Sequence, residues 1–255
     1  MAAETHLFLC LKDNYGVLLH DPDTGATAAI DAPDATPVEA ALKATGWRLT
    51  DILVTHHHAD HTAGIAALKQ NHHCRVVAPR AEAKRISGVD ETVAEGDTVK
   101  VGDLMARVID TPGHTAGHIS YWLRGPKLAF VGDTLFSIGC GRVIEGTPEM
   151  MWASLRKLRD LPDDTRIFCG HEYTQANIRF AQTIEPDNPA LAKRAAEADR
   201  QVARREPTIP VTMGAEKAAN PFLRADLPEV AKAVGLAGSP AWKVFAEIRD
   251  RKNKF

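Results

Sequence analysis

The sequence predicts an α/β sandwich followed by a smaller helical domain. Three observations carry that prediction: short apolar runs alternate with short helical stretches up to about residue 170, Gly- or Asp-rich turns separate them, and strand-like runs nearly vanish beyond Tyr173. The strand candidates are 28–31, 52–55, 75–78, 119–123, 128–131 and 166–169, and several end on a polar residue able to bind something. Helical pattern covers 38–44, 62–70 and 149–161. The last opens at Thr147-Pro148, where the fixed φ of proline suits a first helical turn. Past Tyr173, Ala-, Arg- and Glu-rich helical stretches are punctuated by Glu185-Pro-Asp-Asn-Pro189 and Glu206-Pro207. Residues 1–173 are therefore expected to form one domain and 174–255 a second, helical one.

With 255 residues, 44% of them hydrophobic and 25% charged, the chain has enough apolar material for one large core or a core plus a smaller one. A formal net charge of −2 gives no basic bias, so a nucleic-acid partner is not expected. Glu4 stands where a secretory leader would carry Lys or Arg, and the following apolar run breaks at Lys12. No apolar run approaches the ~18 residues a spanning helix needs. The expectation is a cytosolic (cytoplasmic) protein with no membrane partner, whose four cysteines, Cys10, Cys74, Cys140 and Cys169, are free thiols.

The sharpest chemical signal is Thr55-His-His-His-Ala-Asp-His61, which places His56, His58, Asp60 and His61 in a short turn after an apolar strand. Imidazole nitrogen and carboxylate oxygen suit borderline divalent metals, and the lack of a nearby Cys argues against a closed structural zinc site. Alternation along extended backbone sends His56 and His58 to one side and His57 to the other. A His-rich turn alone is ordinarily just solvated. Three further segments change the reading: Thr111-Pro-Gly-His114, Phe130-Val-Gly-Asp133 and Phe168-Cys-Gly-His171, the last two at strand ends. Seven donors suit two cations about 3.5 Å apart with one carboxylate shared. Two cations beside one water depress its pKa from 15.7 toward about 7, which supplies hydroxide at neutral pH. The same charges polarise a carbonyl and stabilise the oxyanion, so acyl hydrolysis is the default chemistry.

The segment from His56 to His61, with His114, Asp133 and His171, resembles the ligand set of the metallo-β-lactamase superfamily. That resemblance implies a four-layer αβ/βα sandwich with the metals at one edge of two sheets. It also implies that His56, His58 and His114 hold one ion, Asp60, His61 and His171 the other, and that Asp133 bridges them. Asp60 and Asp133 are then the catalytic carboxylates. True β-lactamases match less well, because many carry Cys where Asp133 stands.

Resemblance to the glyoxalase II (hydroxyacylglutathione hydrolase) family covers nearly the whole chain. It runs through Leu11-Lys-Asp-Asn-Tyr15 as an opening strand, the loop from Asp133 to Arg142, Gly170-His-Glu-Tyr-Thr174, Asn220-Pro-Phe-Leu-Arg224 and the terminal segment from Arg249 to Phe255. It implies hydrolysis of S-D-lactoylglutathione to D-lactate and glutathione in methylglyoxal detoxification. The glutathione would be held by Arg142, Tyr173, Arg249 and Lys252. Guanidinium forks and ammonium groups pair well with the two glutathione carboxylates. Ile144 stands where some relatives carry Tyr, which removes one hydrogen bond to the peptide. Residues 1–173 become the catalytic domain and 174–255 the glutathione-binding one.

Two divalent ions per chain are expected, zinc before iron or manganese, in a monomer whose partner is the small-molecule thioester. A persulfide dioxygenase and other acyl hydrolases or lactonases share the metal motif. The long helical tail with its terminal basic pair separates this chain from the dioxygenase. His118 is read as structural, and Cys140 and Cys169 as bystanders, because the metals already supply the nucleophile.

Overall fold

The computed structural model describes residues 2–255. The chain packs into two compact units, one of residues up to 110 with 115–132, the other of 111–114 with 133–255.

The first unit begins with β1 (Glu4–Cys10), β2 (Asn14–His20) and β3 (Thr27–Ile30), and continues through α1 (Ala35–Thr45) and β4 (Asp51–Leu53). Then follow α2 (Ala59–Thr62), α3 (Ile65–His72), β5 (Arg75–Pro79) and β6 (Glu91–Val93). These strands form one sheet in the order β1-β2-β3-β4-β5-β6, antiparallel through β3 and parallel from there on. Parallel neighbours need crossovers; α1 supplies the one from β3 to β4 and α3 the one from β4 to β5, while residues 80–90 link β5 to β6. Asp34 caps α1 by accepting from the Thr36 N–H at 2.8 Å, and Gly46 ends it in the left-handed region at φ 74. Val38, Ala41 and Leu42 of α1 and Ile65 and Leu68 of α3 pack on Leu18, Ile52, Val54 and Val76 in one buried cluster. Each such Leu, Ile or Val contributes about 1.5–3 kcal/mol by leaving water. The remaining strands of this unit, β7 (Thr98–Val101), β8 (Leu104–Asp110), β9 (Ile119–Leu123) and β10 (Leu128–Gly132), pair antiparallel in succession.

The second unit starts with a hairpin, β11 (Leu135–Phe136) and β12 (Gly139–Cys140), followed by α4 (Pro148–Arg159) and β13 (Arg166–Cys169). Helices α5 (Thr174–Ile184) and α6 (Pro189–Ala203) come next, and β14 (Val211–Thr212) pairs antiparallel with β13. The chain ends with α7 (Met213–Ala219), α8 (Pro228–Ala233) and α9 (Ala241–Lys254). Ile178, Ala181, Leu191, Ala198 and Ala219 close around Ile138 of the hairpin turn. The Phe245 ring of α9 lies 6.3 Å from Trp152 and 6.1 Å from Phe222. No helix among the described residues is long and apolar enough to cross a membrane.

All six expected strands are present with shifted ends, as are the helices expected at 38–44 and 149–161. Two expectations are corrected. The segment 11–15 is not an opening strand: Leu11 sits at φ 48 in the turn that lets Cys10 face Asn14, so only Asn14 and Tyr15 are extended, as the start of β2. The helix expected at 62–70 is broken by Gly64 into α2 and α3. A Cβ at Gly64 would lie 2.6 Å from the Ala35 nitrogen, so the chain passes too close there for any side chain.

Candidate metal centre

In the first unit, β3 and β4 lie side by side in parallel, and their ends deliver Asp31 and the segment 55–62 to one place. Asp31, at φ 58, accepts from the Thr55 N–H at 2.7 Å and the Thr55 hydroxyl at 2.9 Å, and pairs with His61 Nδ1 at 2.8 Å. A carboxylate on Nδ1 fixes the tautomer and raises the basicity of Nε2, the usual arrangement behind a metal-binding imidazole. The Thr55 hydroxyl also lies 3.0 Å from His56 Nδ1, and His56 Nε2 lies 3.1 Å from His58 Nδ1. Two ring nitrogens converge there while the far edge of His56 is already engaged. Asp60 is anchored by Asn14, whose amide donates to its carbonyl at 3.0 Å and its Oδ2 at 3.3 Å.

His57 turns elsewhere: its backbone N–H donates to buried Glu82 at 2.7 Å and its Nδ1 lies 2.8 Å from the same oxygen. The other Glu82 oxygen accepts from the Gly117 N–H at 2.8 Å. His118, fully buried, stacks on His56 at 4.9 Å between centroids. Gly132, at φ 47, passes so close that a Cβ would lie 2.6 Å from both His118 Nε2 and the Thr55 hydroxyl.

In the second unit, Asp133 lies between two imidazoles. Its Oδ2 is 3.5 Å from His114 Nε2 and 3.3 Å from His171 Nε2, and all three residues are buried. His114 Nδ1 bonds the Arg142 carbonyl at 2.9 Å, which directs Nε2 inward. His171 is clamped by aromatic contacts, stacked on Tyr173 at 4.8 Å and edge-on to Phe136 at 5.9 Å. The loop from Asp133 to Arg142 folds so tightly that a Cβ on Gly141 would overlap the Asp133 carbonyl oxygen.

The expected glutathione contacts all belong to this unit. Arg142, Ile144 and Tyr173 are exposed. Arg249 is buried, with Nη1 on the Cys140 carbonyl at 2.9 Å and the guanidinium 5.4 Å over Phe222. Lys252 donates to the Ala176 carbonyl at 3.0 Å and lies above Phe180 and Phe255 at 5.3 and 5.2 Å. Burial, reinforced by Arg249 and Arg179, lowers its ammonium to about 8. Burial pushes the Cys140 thiol up to about 11 and the Cys169 thiol to about 12, far from thiolate chemistry.

The structure thus brings His56, His58, Asp60 and His61 together in one unit and His114, Asp133 and His171 together in the other. The donors are the nitrogens and carboxylate oxygens that divalent ions accept, and the far edges of His56, His61 and His114 are held by protein, so the residues fit metal ions. Sequence reasoning passed over Asp31, Asn14 and Glu82. Asp31 ends a strand candidate and Asn14 lies in the segment 11–15, so both carried a signal; Glu82 carried none.

Two family models match the chain: the metallo-beta-lactamase superfamily over residues 13–171 and the hydroxyacylglutathione hydrolase C-terminus over 172–255. A hydroxyacylglutathione hydrolase of Rhodopseudomonas palustris (strain BisA53) is 61% identical over 100% of both chains, and one from Bradyrhizobium sp. (strain ORS 278) is 58% identical over the same shares. Among solved structures, ETHE1 from Myxococcus xanthus aligns with a TM-score of 0.70 at 26% identity, covering 98% of this chain and 91% of that one. The BLEG-1 B3 metallo-beta-lactamase aligns with a TM-score of 0.66 at 22% identity, covering 86% of this chain and 99% of that one, a likeness of fold.

Proposed function

We infer that this chain, which belongs to the hydroxyacylglutathione hydrolase family of the metallo-β-lactamase superfamily, hydrolyses S-(2-hydroxyacyl)glutathione thioesters, chiefly S-D-lactoylglutathione. The observation that carries this reading is identity near 60% along the full chain, including the segment matched by the hydroxyacylglutathione hydrolase C-terminus. The products are a 2-hydroxy acid and glutathione.

Two divalent ions per chain are the proposed cofactor, with zinc the preferred metal. His56, His58 and His114 would hold one, Asp60, His61 and His171 the other, and Asp133 both. When bound, such ions supply Lewis acidity toward a carbonyl and a water of lowered pKa. The protein's own part is orientation. Asp31, Thr55 and the Arg142 carbonyl set ring tautomers, and Asn14 holds Asp60. Arg142, Tyr173 and Lys252 are proposed to fix the glutathione carboxylates and peptide. Arg249 would add positive charge from within, since its Nη1 is already committed to the Cys140 carbonyl. The leaving group, a thiol of pKa about 8.5, departs as thiolate without a dedicated acid.

Residues 1–173 are proposed as the catalytic domain and 174–255 as the glutathione-binding one. A monomer is proposed because this chain alone carries every ligand and substrate contact named. The cytosol is the proposed location, which suits four buried, unpaired thiols.

The test is loss of S-lactoylglutathione absorbance on adding purified, metal-analysed protein. Turnover that disappears on chelation supports the reading. Protein that binds two metals yet leaves the thioester intact would keep the family and lose the substrate.

A further inference from the structure

Asp133 opens a loop that turns back before reaching Arg142, with Leu135 opposite Cys140 and Phe136 opposite Gly139. Ser137 and Ile138 form the turn. Ile138 is fully buried at φ 55, a backbone conformation a β-branched residue adopts only when its surroundings impose it.

Those surroundings come from α5, α6 and the end of α7. The Ile138 N–H donates to Glu216 Oε2 at 2.9 Å. The Asn220 amide nitrogen lies 3.0 Å from the Gly139 carbonyl, 3.3 Å from the Phe136 carbonyl and 2.8 Å from Glu216 Oε2. Asn177 donates to the Ser137 carbonyl at 3.1 Å, and Arg194 to the Ser137 hydroxyl at 3.2 Å. Glu216 and Asn220 are both fully buried. Burial pushes the Glu216 carboxyl up to about 7, against the hydrogen bonds from Asn220 and Ile138. A side chain so costly to bury is poorly chosen for packing alone, and its hydrogen bonds are directed at this turn.

Both ends of the loop reach metal-ligand candidates. One is Asp133 itself. At the other, the Arg142 carbonyl sets the ring of His114. We propose that Glu216, with Asn220, is a positioning residue of the metal centre: by fixing the Ser137–Ile138 turn it places the Asp133 carboxylate and, through the Arg142 carbonyl, the His114 imidazole. This rests on Asp133 and His114 being metal ligands.

The experiment compares wild type, Glu216→Leu, Asn220→Ala and Glu216→Gln. Zinc affinity is measured by chelator competition, kcat and KM on S-lactoylglutathione, and folding by circular dichroism. Glu216→Leu and Asn220→Ala should each weaken zinc binding by about 10–100-fold and lower kcat in step, as loss of a supporting partner does. KM should stay within about twofold, and Glu216→Gln, which keeps an acceptor for Ile138, should stay within about threefold of wild type throughout. Folded Leu and Ala variants with wild-type zinc affinity and kcat overturn the proposal, as does a Gln variant as impaired as the Leu one. If neither Glu216→Leu nor Asn220→Ala folds, the pair serves the core and the proposal also falls. Failure of the ligand assignment is separable, because it shows as unchanged zinc affinity in Asp133→Ala and His114→Ala, whatever the Glu216 and Asn220 variants do.

Discussion

In the first unit the ligand candidates sit on one short stretch, residues 56–61, and are steered by side chains: Asp31 and Thr55 on the imidazoles, Asn14 on Asp60. In the second they come from three separate segments. There His114 is steered by a backbone carbonyl, His171 by aromatic faces, and Asp133 by a loop that helices hold from behind. The contrast is between orientation by polar side chains and orientation by backbone and shape. A carboxylate behind an imidazole can be altered at a single atom, whereas a backbone carbonyl can be moved only by moving its loop. Substitutions in the two units should therefore fail in different ways.

The largest effect tests whether the second unit contributes a shared ligand at all. Asp133→Ala should lower kcat/KM on S-lactoylglutathione by about 10³-fold or more, the several kcal/mol that Lewis-acid stabilisation supplies. Metal content should drop in the same preparation. A variant retaining both metals and a tenth of the activity would remove Asp133 from the bridging role.

Next is the unit steered by side chains. Asp31→Asn keeps the size and the acceptor for the Thr55 N–H but replaces the charged oxygen that faces His61 Nδ1 and the Thr55 hydroxyl with an amide NH2. Metal affinity or activity should fall by about 10–100-fold with circular dichroism unchanged. A loss below threefold would mean that shape alone orients His61, and the contrast between the units would collapse.

The proposed glutathione contacts should give a smaller, pH-dependent effect. Lys252 is lowered to about 8, first by burial and then by Arg249 and Arg179. Its ammonium is present below that value and lost above it, so kcat/KM should decline as pH rises through about 8. Lys252→Ala should raise KM about tenfold, the 1.4 kcal/mol of one charged contact, with kcat nearly unchanged. Lys252→Arg should keep affinity and abolish the alkaline limb, because guanidinium stays protonated throughout. A limb that persists in the Arg variant assigns it to another group.

What the sequence makes legible follows the same division. The segment 56–61 reads as a ligand set because its donors are contiguous and follow an apolar strand. Its supporting partner Asp31 is hidden only by the parallel pairing of β3 with β4, which periodicity does not reveal. Strands such as 119–123 and 128–131 are visible as apolar runs, whereas β8 is missed because Arg107, on its exposed face, interrupts the run. The two-residue strands β11 and β12 leave no period to read. Their turn is held by Asn177, Arg194, Glu216 and Asn220, residues that look in sequence like the polar faces of solvated helices and are instead buried around it. Tertiary polar contacts of this kind have no local signature.

The smallest effect belongs to the thiols beside the second set, Cys140 in the hairpin and Cys169 two residues before His171. Both are buried with raised pKa, and Cys169 Sγ lies 3.4 Å from the His171 carbonyl. A nucleophilic cysteine needs a lowered pKa and access to substrate, and neither thiol has them. Cys140→Ala should keep kcat within about twofold while costing about 1 kcal/mol of stability, or roughly 2–4 °C in Tm for a chain of this size. Iodoacetamide at pH 7.5 should leave wild-type turnover intact. If instead alkylation silenced the enzyme and Cys140→Ala reproduced the loss, shape would not be the whole contribution of the hairpin. The second unit would then supply a reacting group, and the helices behind the loop would be holding a nucleophile in place.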